Sequence, residues 1–141
     1  MTRVLVALVP VLAVLVAADA TWAEHEIYYR YTVLGYVKDT RGRPVRGREV
    51  KVVRDKTDFS YLGETDASGL YVVIIRLGDE SLGERLTVRS GSSSTKVTVT
   101  FDVANRSEER GTRLDFDGSH PVERAAWFPS TLRLFLGAAP R

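Results

Sequence analysis

Residues 35–71 read GYVKDTRGRPVRGREVKVVRDKTDFSYLGETDASGLY, and this stretch decides the fold. It holds two turn signals. Asp39-Thr40-Arg41-Gly42-Arg43-Pro44-Val45 separates the strand-like runs VLGYVK and REVKVV, and Thr65-Asp66-Ala67-Ser68-Gly69 separates SYLGE from LYVVII. Gly42 tolerates a positive φ, and Pro44 presets an extended entry to the next segment. Asp66 accepts backbone N–H groups ahead of it, and Gly69 suits the left-handed region. Strands separated by such turns at this spacing predict a small all-β sandwich.

Working outward, strands are expected at residues 31–38, 49–54, from 59 to about 64, 70–77, 85–89 and 95–103. In the last of these, Val97, Val99, Phe101 and Val103 alternate with Lys96, Thr98, Thr100 and Asp102, so one face is wet. Residues 70–77, LYVVIIRL, are apolar on both faces and predict a central strand with both sides covered. Gly35 predicts a bulge or a close backbone approach within the first strand. A seventh strand is expected at residues 112–116, or from the tyrosine-rich lead-in at 28–31. An immunoglobulin-like, seven-stranded β-sandwich satisfies this pattern. The tail, residues 107–141, reads as irregular. Residues 121–128 resemble a helix start with Pro121 in its first position, and residues 131–136 suit an edge strand or a docked segment.

The N-terminus carries a different signal. Arg3 precedes an apolar run from Val4 to Ala18, and small residues follow at Ala18, Ala20 and Ala23. This is the pattern of a secretory signal peptide over residues 1–23, expected as a helix and cut after Ala20 or Ala23. The run ends at Asp19, short of the roughly 20 apolar residues of a spanning helix, and Pro10 interrupts it. An uncleaved anchor is the alternative, and membrane attachment depends on it. The sandwich is assigned to residues 24–106.

Composition narrows the function. The chain has 141 residues and no cysteine. An exported chain without disulfides suits a bacterial periplasm or cell surface. Its 20 basic and 18 acidic side chains alternate, with neither a basic stripe nor an RNA-binding motif, so nucleic acid is not an expected partner. The two histidines, His25 and His120, lie far apart and outside any metal-binding spacing. His25 suits copper(II) only if the mature chain began at Ala23. Asp55, Asp58, Glu64 and Asp66 fit no calcium loop. Ser90 to Ser94 has no base beside it and reads as a turn.

The turn motifs also carry a resemblance. The pattern V-x-D-x-x-G-x-P-V-x-G-x-x-V-x-V spans residues 37–52, and T-D-x-x-G-x-Y spans residues 65–71. Together they resemble the carboxypeptidase regulatory-like domain, a relative of transthyretin and the collagen-adhesin B-type repeats, over about residues 31–104. The resemblance implies a prealbumin-like sandwich with an accessory role and no catalysis. Residues 78–84 depart from the family's pattern, which places a P-x-G-x-Y element there.

The expected function is therefore an exported, non-catalytic module with a binding or structural role in the bacterial cell envelope and no cofactor. The alternative is a membrane-tethered accessory subunit of a transport or secretion assembly. Partners would be an envelope protein or a polysaccharide. Tyr28, Tyr29, Tyr31, Trp127 and Phe128 are the candidate binding surface, because exposed aromatics stack on sugars and anchor peptides.

Overall fold

The computed structural model describes residues 26–138. The expected leader, its cleavage positions at Ala20 and Ala23, and His25 lie outside them. Eight strands are present among the described residues: β1 Arg30–Lys38, β2 Glu49–Arg54, β3 Phe59–Glu64, β4 Leu70–Arg76, β5 Arg85–Ser90, β6 Ser93–Thr98, β7 Gly111–Asp117 and β8 His120–Glu123. Among the described residues one α-helix, α1, covers Phe128–Ala138. The strands form two four-stranded sheets, in the orders β4-β1-β7-β8 and β3-β2-β5-β6. Pairing is antiparallel except between β1 and β7, which run parallel. No helix among the described residues is long and apolar enough to cross a membrane.

The core lies between the sheets. Tyr31, Val33 and Val37 from β1 and Tyr71, Val73 and Ile75 from β4 meet Val50, Val52, Leu86, Val88 and Val97 of the other sheet, and Leu114 and Phe116 of β7 complete it. Burial of each such side chain contributes about 1.5–3 kcal/mol. The alternation that places them inside is the period of two read from the sequence.

The sandwich is all-β, as expected, but three expectations change. It has eight strands rather than seven, because residues 111–123 fold into the β7–β8 hairpin. The sandwich therefore runs past residue 106 into the tail, and β7 lies beside β1. Pro121 sits inside β8, on the edge of its sheet, where a residue without an N–H is tolerated. The helix starts later, at Phe128, and takes up residues 131–136. Finally, the inner strands of the first sheet are β1 and β7, and β4 is an edge. Thr32 and Leu34 on the outer face of β1 are buried along with Val33 on its inner face. Helix α1 packs there, over β1 and β7. Ile74 on edge strand β4 stays 57% exposed. The doubly apolar run of residues 70–77 therefore marks an edge with an apolar outer face.

Both turn signals shape the chain as read. Asp39 Oδ1 accepts N–H bonds from Arg41 and Arg43, each at 2.9 Å. Asp66 Oδ1 does the same for Ser68 at 2.8 Å and Leu70 at 3.0 Å. A Cβ on Gly69 would lie 2.7 Å from the Val37 carbonyl oxygen, and its φ is +81°.

Gly35 marks a close approach. The β1–β7 ladder runs from Thr32↔Gly111 to Leu34↔Arg113, opens, and resumes at Val37↔Phe116. At the opening, a Cβ on Gly35 would fall 1.8 Å from the Leu114 carbonyl oxygen. That oxygen accepts the Tyr71 hydroxyl at 2.5 Å instead of a ladder N–H. Burial, followed by the Asp115 charge, pushes the Tyr71 phenol well above the ordinary tyrosine range and keeps it a donor. The Tyr36 N–H turns to Asp115 Oδ1 at 2.9 Å.

Two substitutions test this opening. Gly35→Ala is expected to lower unfolding free energy by about 3 kcal/mol, since the added methyl has no room. Tyr71→Phe is expected to cost about 1–3 kcal/mol by orphaning a buried carbonyl. Urea denaturation measures both, and a Gly35→Ala protein as stable as the parent would refute the close approach.

Candidate functional site

On the outer face of β7, alternation places Arg113, Asp115 and Asp117 in one row, opposite to inward-facing Leu114 and Phe116. Asp115 is only 2% exposed. Arg113 grips its carboxylate through Nε at 3.1 Å and Nη2 at 2.9 Å. Arg124, just past β8, pairs with the same carboxylate through Nη1 and with Asp117 through Nη2 at 3.0 Å. Burial is the largest influence on the Asp115 carboxyl and pushes it up. The hydrogen bonds from Arg113, the Tyr36 N–H and Arg124, with the Arg113 charge, outweigh burial, so the carboxyl titrates below the ordinary aspartate range.

This charge cluster holds an aromatic ladder. The Arg113 guanidinium lies 5.0 Å from the Tyr36 ring centroid and 5.2 Å from that of Trp127. The Arg124 guanidinium lies 5.6 Å from the Trp127 centroid. Each is within cation–π range. The Thr131 hydroxyl donates to the Trp127 carbonyl at 2.7 Å and accepts from Arg113 Nη1 at 3.1 Å. Phe128 then seats the following helix on Gly111, where a Cβ would meet its ring at 2.5 Å. Trp127 is thus fixed on both sides along the chain, yet remains 54% exposed. A rigid exposed indole flanked by guanidinium donors is suited to stacking and hydrogen bonding. It presents no nucleophile–base pair.

The other candidate aromatics divide. Tyr31 is 1% exposed and Phe128 3%, so neither lies on a binding surface, contrary to expectation. Tyr31 fills the core, where burial pushes its phenol up to about 12. Phe128 anchors α1. Tyr28 and Tyr29 lie together before β1, with ring centroids 4.8 Å apart, and Arg106 stacks 4.4 Å from the Tyr28 centroid. Tyr36 sits near the far end of β1, about 20 Å along the strand. The tyrosine pair and the Trp127 ladder are therefore separate features.

Several other groups serve structure. Asp55 accepts from Thr87 at 2.6 Å and pairs with Lys96, while Asp66 caps its own turn, so the acidic residues of 55–66 do not converge. Among the described residues no three His, Cys, Asp or Glu side chains are grouped to hold a metal ion. Arg113, Asp115 and Arg124 escaped the sequence reading because alternating charges on a strand look solvated. The available signal was the R-L-D-F-D run at 113–117, whose polar face is covered by a helix that the sequence placed wrongly.

No protein-family model matches the chain, and no curated protein matches it. Solved structures show distant likenesses. The dioxygenase domain of a dioxygenase–carbohydrate-binding protein fusion from Streptomyces sp. SirexAA-E is 16% identical, with a TM-score of 0.37, over 67% of this chain and 75% of that one. A 3-chlorocatechol 1,2-dioxygenase from Rhodococcus opacus 1CP is 15% identical, with a TM-score of 0.39, over 71% and 58%. A catechol 1,2-dioxygenase from Acinetobacter sp. ADP1 is 14% identical, with a TM-score of 0.37, over 68% and 50%. The chain thus spans little more than half the length of the two catechol enzymes. None of the three is a carboxypeptidase regulatory-like domain, and likenesses this distant carry no chemistry to this chain.

Asp115→Asn is expected to cost about 3 kcal/mol, because two guanidiniums lose their shared counter-charge. The pH dependence follows from the lowered titration. The Asp115 contribution is complete above the ordinary value of 3.8 and disappears as pH falls through its lower folded value. Urea midpoints measured down the acid range should fall less steeply for Asp115→Asn than for the parent. Parallel acid limbs would contradict the pairing.

Proposed function

We propose that this chain is an exported, non-catalytic β-sandwich module that binds a polysaccharide of the bacterial cell envelope through Trp127. The observation that carries the reading is the half-exposed indole held between Arg113 and Arg124 over a buried carboxylate. Preorganisation of this kind lowers the ordering cost of binding. An aromatic face suits the apolar C–H face of a sugar ring, and the flanking guanidinium N–H groups suit its hydroxyls. The signal-like residues 1–23 support export, and for an exported chain the absence of cysteine suits a bacterial envelope. The regulatory-like motif at residues 37–71 supports a prealbumin-like accessory domain.

The chain contains two tryptophans, Trp22 and Trp127. In a protein cut after Ala23, fluorescence reports on Trp127 alone. Sedimentation with insoluble envelope polysaccharide should retain the parent, and soluble fragments should shift its emission. Trp127→Ala is expected to weaken retention by about tenfold or more. Undiminished retention of that variant would overturn the reading.

A further inference from the structure

At the end of the sandwich where β1 finishes, three connections converge: residues 39–48, residues 91–92 between β5 and β6, and residues 118–119 between β7 and β8. A cleft of about 230 Å³ opens among them, and Lys38, Arg48, Ser90, Ser92 and Ser119 are in its wall. It adjoins a larger one of about 560 Å³ that shares Lys38 and Ser119 and adds His120.

Three observations concern this cleft. The Ser90 side chain is 4% exposed, and its hydroxyl has no hydrogen-bond partner among the described residues. Buried hydroxyls are ordinarily partnered, so an orphan at a cleft wall points to a guest. Next, the Arg48 guanidinium lies across Gly91, where a Cβ would come 2.7 Å from Nη1. The missing side chain lets the guanidinium lie over the turn. Last, the local charge is uncompensated. Neither Arg48 nor Lys38 forms an ion pair among the described residues. The nearby carboxylates are committed elsewhere: Asp39 to Arg41 and Arg43, and Asp117 to Arg124.

We infer that this cleft binds a tetrahedral oxyanion, a phosphate or sulfate group, with Arg48 and Lys38 supplying charge and the Ser90 and Ser92 hydroxyls donating hydrogen bonds. A planar guanidinium matches two oxygens of such a group at once. The hydroxyl without a protein acceptor gains one. Hydrophobic or cationic ligands fit none of these features. The site shares no residue with the Trp127 ladder and does not rest on the polysaccharide reading, so either can fail alone.

The test titrates the protein with sodium phosphate and with sodium sulfate, against sodium chloride at matched ionic strength, and follows backbone amide NMR signals. Saturable shifts of the Gly91, Ser92, Gly118 and Ser119 amides are expected with either oxyanion and not with chloride. Arg48→Gln should weaken binding about tenfold, the loss of one charge-assisted contact, and Arg133→Gln on exposed α1 should leave it unchanged. Ser90→Ala should weaken binding while unfolding at the same or a higher urea concentration, because it removes an unsatisfied buried group. Glycerol phosphate distinguishes the source: tighter binding than inorganic phosphate assigns an ester on a larger molecule, and weaker binding assigns the free anion. The inference is overturned if chloride reproduces the shifts, if Arg48→Gln titrates like the parent, or if Ser90→Ala destabilises the protein.

Discussion

The hydrogen bond from the Tyr71 hydroxyl to the Leu114 carbonyl is the point on which the rest of this structure turns. It links edge strand β4 to β7 beneath the strand that separates them, and it occupies the place of a ladder bond. Gly35 makes it possible by offering no side chain there. Once the ladder has opened, the Tyr36 N–H needs another acceptor, and Asp115 provides it. A carboxylate in that position is buried, so it needs cations, and Arg113 and Arg124 supply them. Those cations then hold Trp127. A single missing Cβ in the first strand thus leads, contact by contact, to a half-exposed indole on the surface.

Most of the sandwich was legible because it is local. Turn chemistry around Asp39 and Asp66 and the period-two runs of residues 49–54 and 85–89 needed no long-range information, whereas the strand expected at 95–103 begins at Ser93, inside the expected turn, and ends at Thr98. The order of strands in the sheets was not legible. Residues 70–77 carry apolar side chains on both faces, and that composition is the same whether a partner layer covers the strand or leaves an edge like that around Ile74. β8 was missed for a related reason. HPVE has little strand propensity, and it forms because β7 offers a free edge across a two-residue turn.

The site was less legible than the fold. Tyr31 and Phe128 look alike with Trp127 in sequence, and only packing separates ring in core from ring on surface. Arg113 and Asp115 are two residues apart on a strand, where alternation suggests solvent. A helix of eleven residues over that face turns them into a half-buried arginine on a buried carboxylate. What the sequence does convey about that helix is its anchoring point, since Gly111 and Phe128 fit only together.

Pro121 has a consequence of another kind. β8 closes one side of the first sheet, and its second residue has no N–H to offer a neighbouring chain. On the other sheet, terminal strand β6 carries Lys96 in its middle, a charge that discourages a second strand from docking. At these two edges a strand from a second copy therefore finds a missing donor or a charge where it would pair.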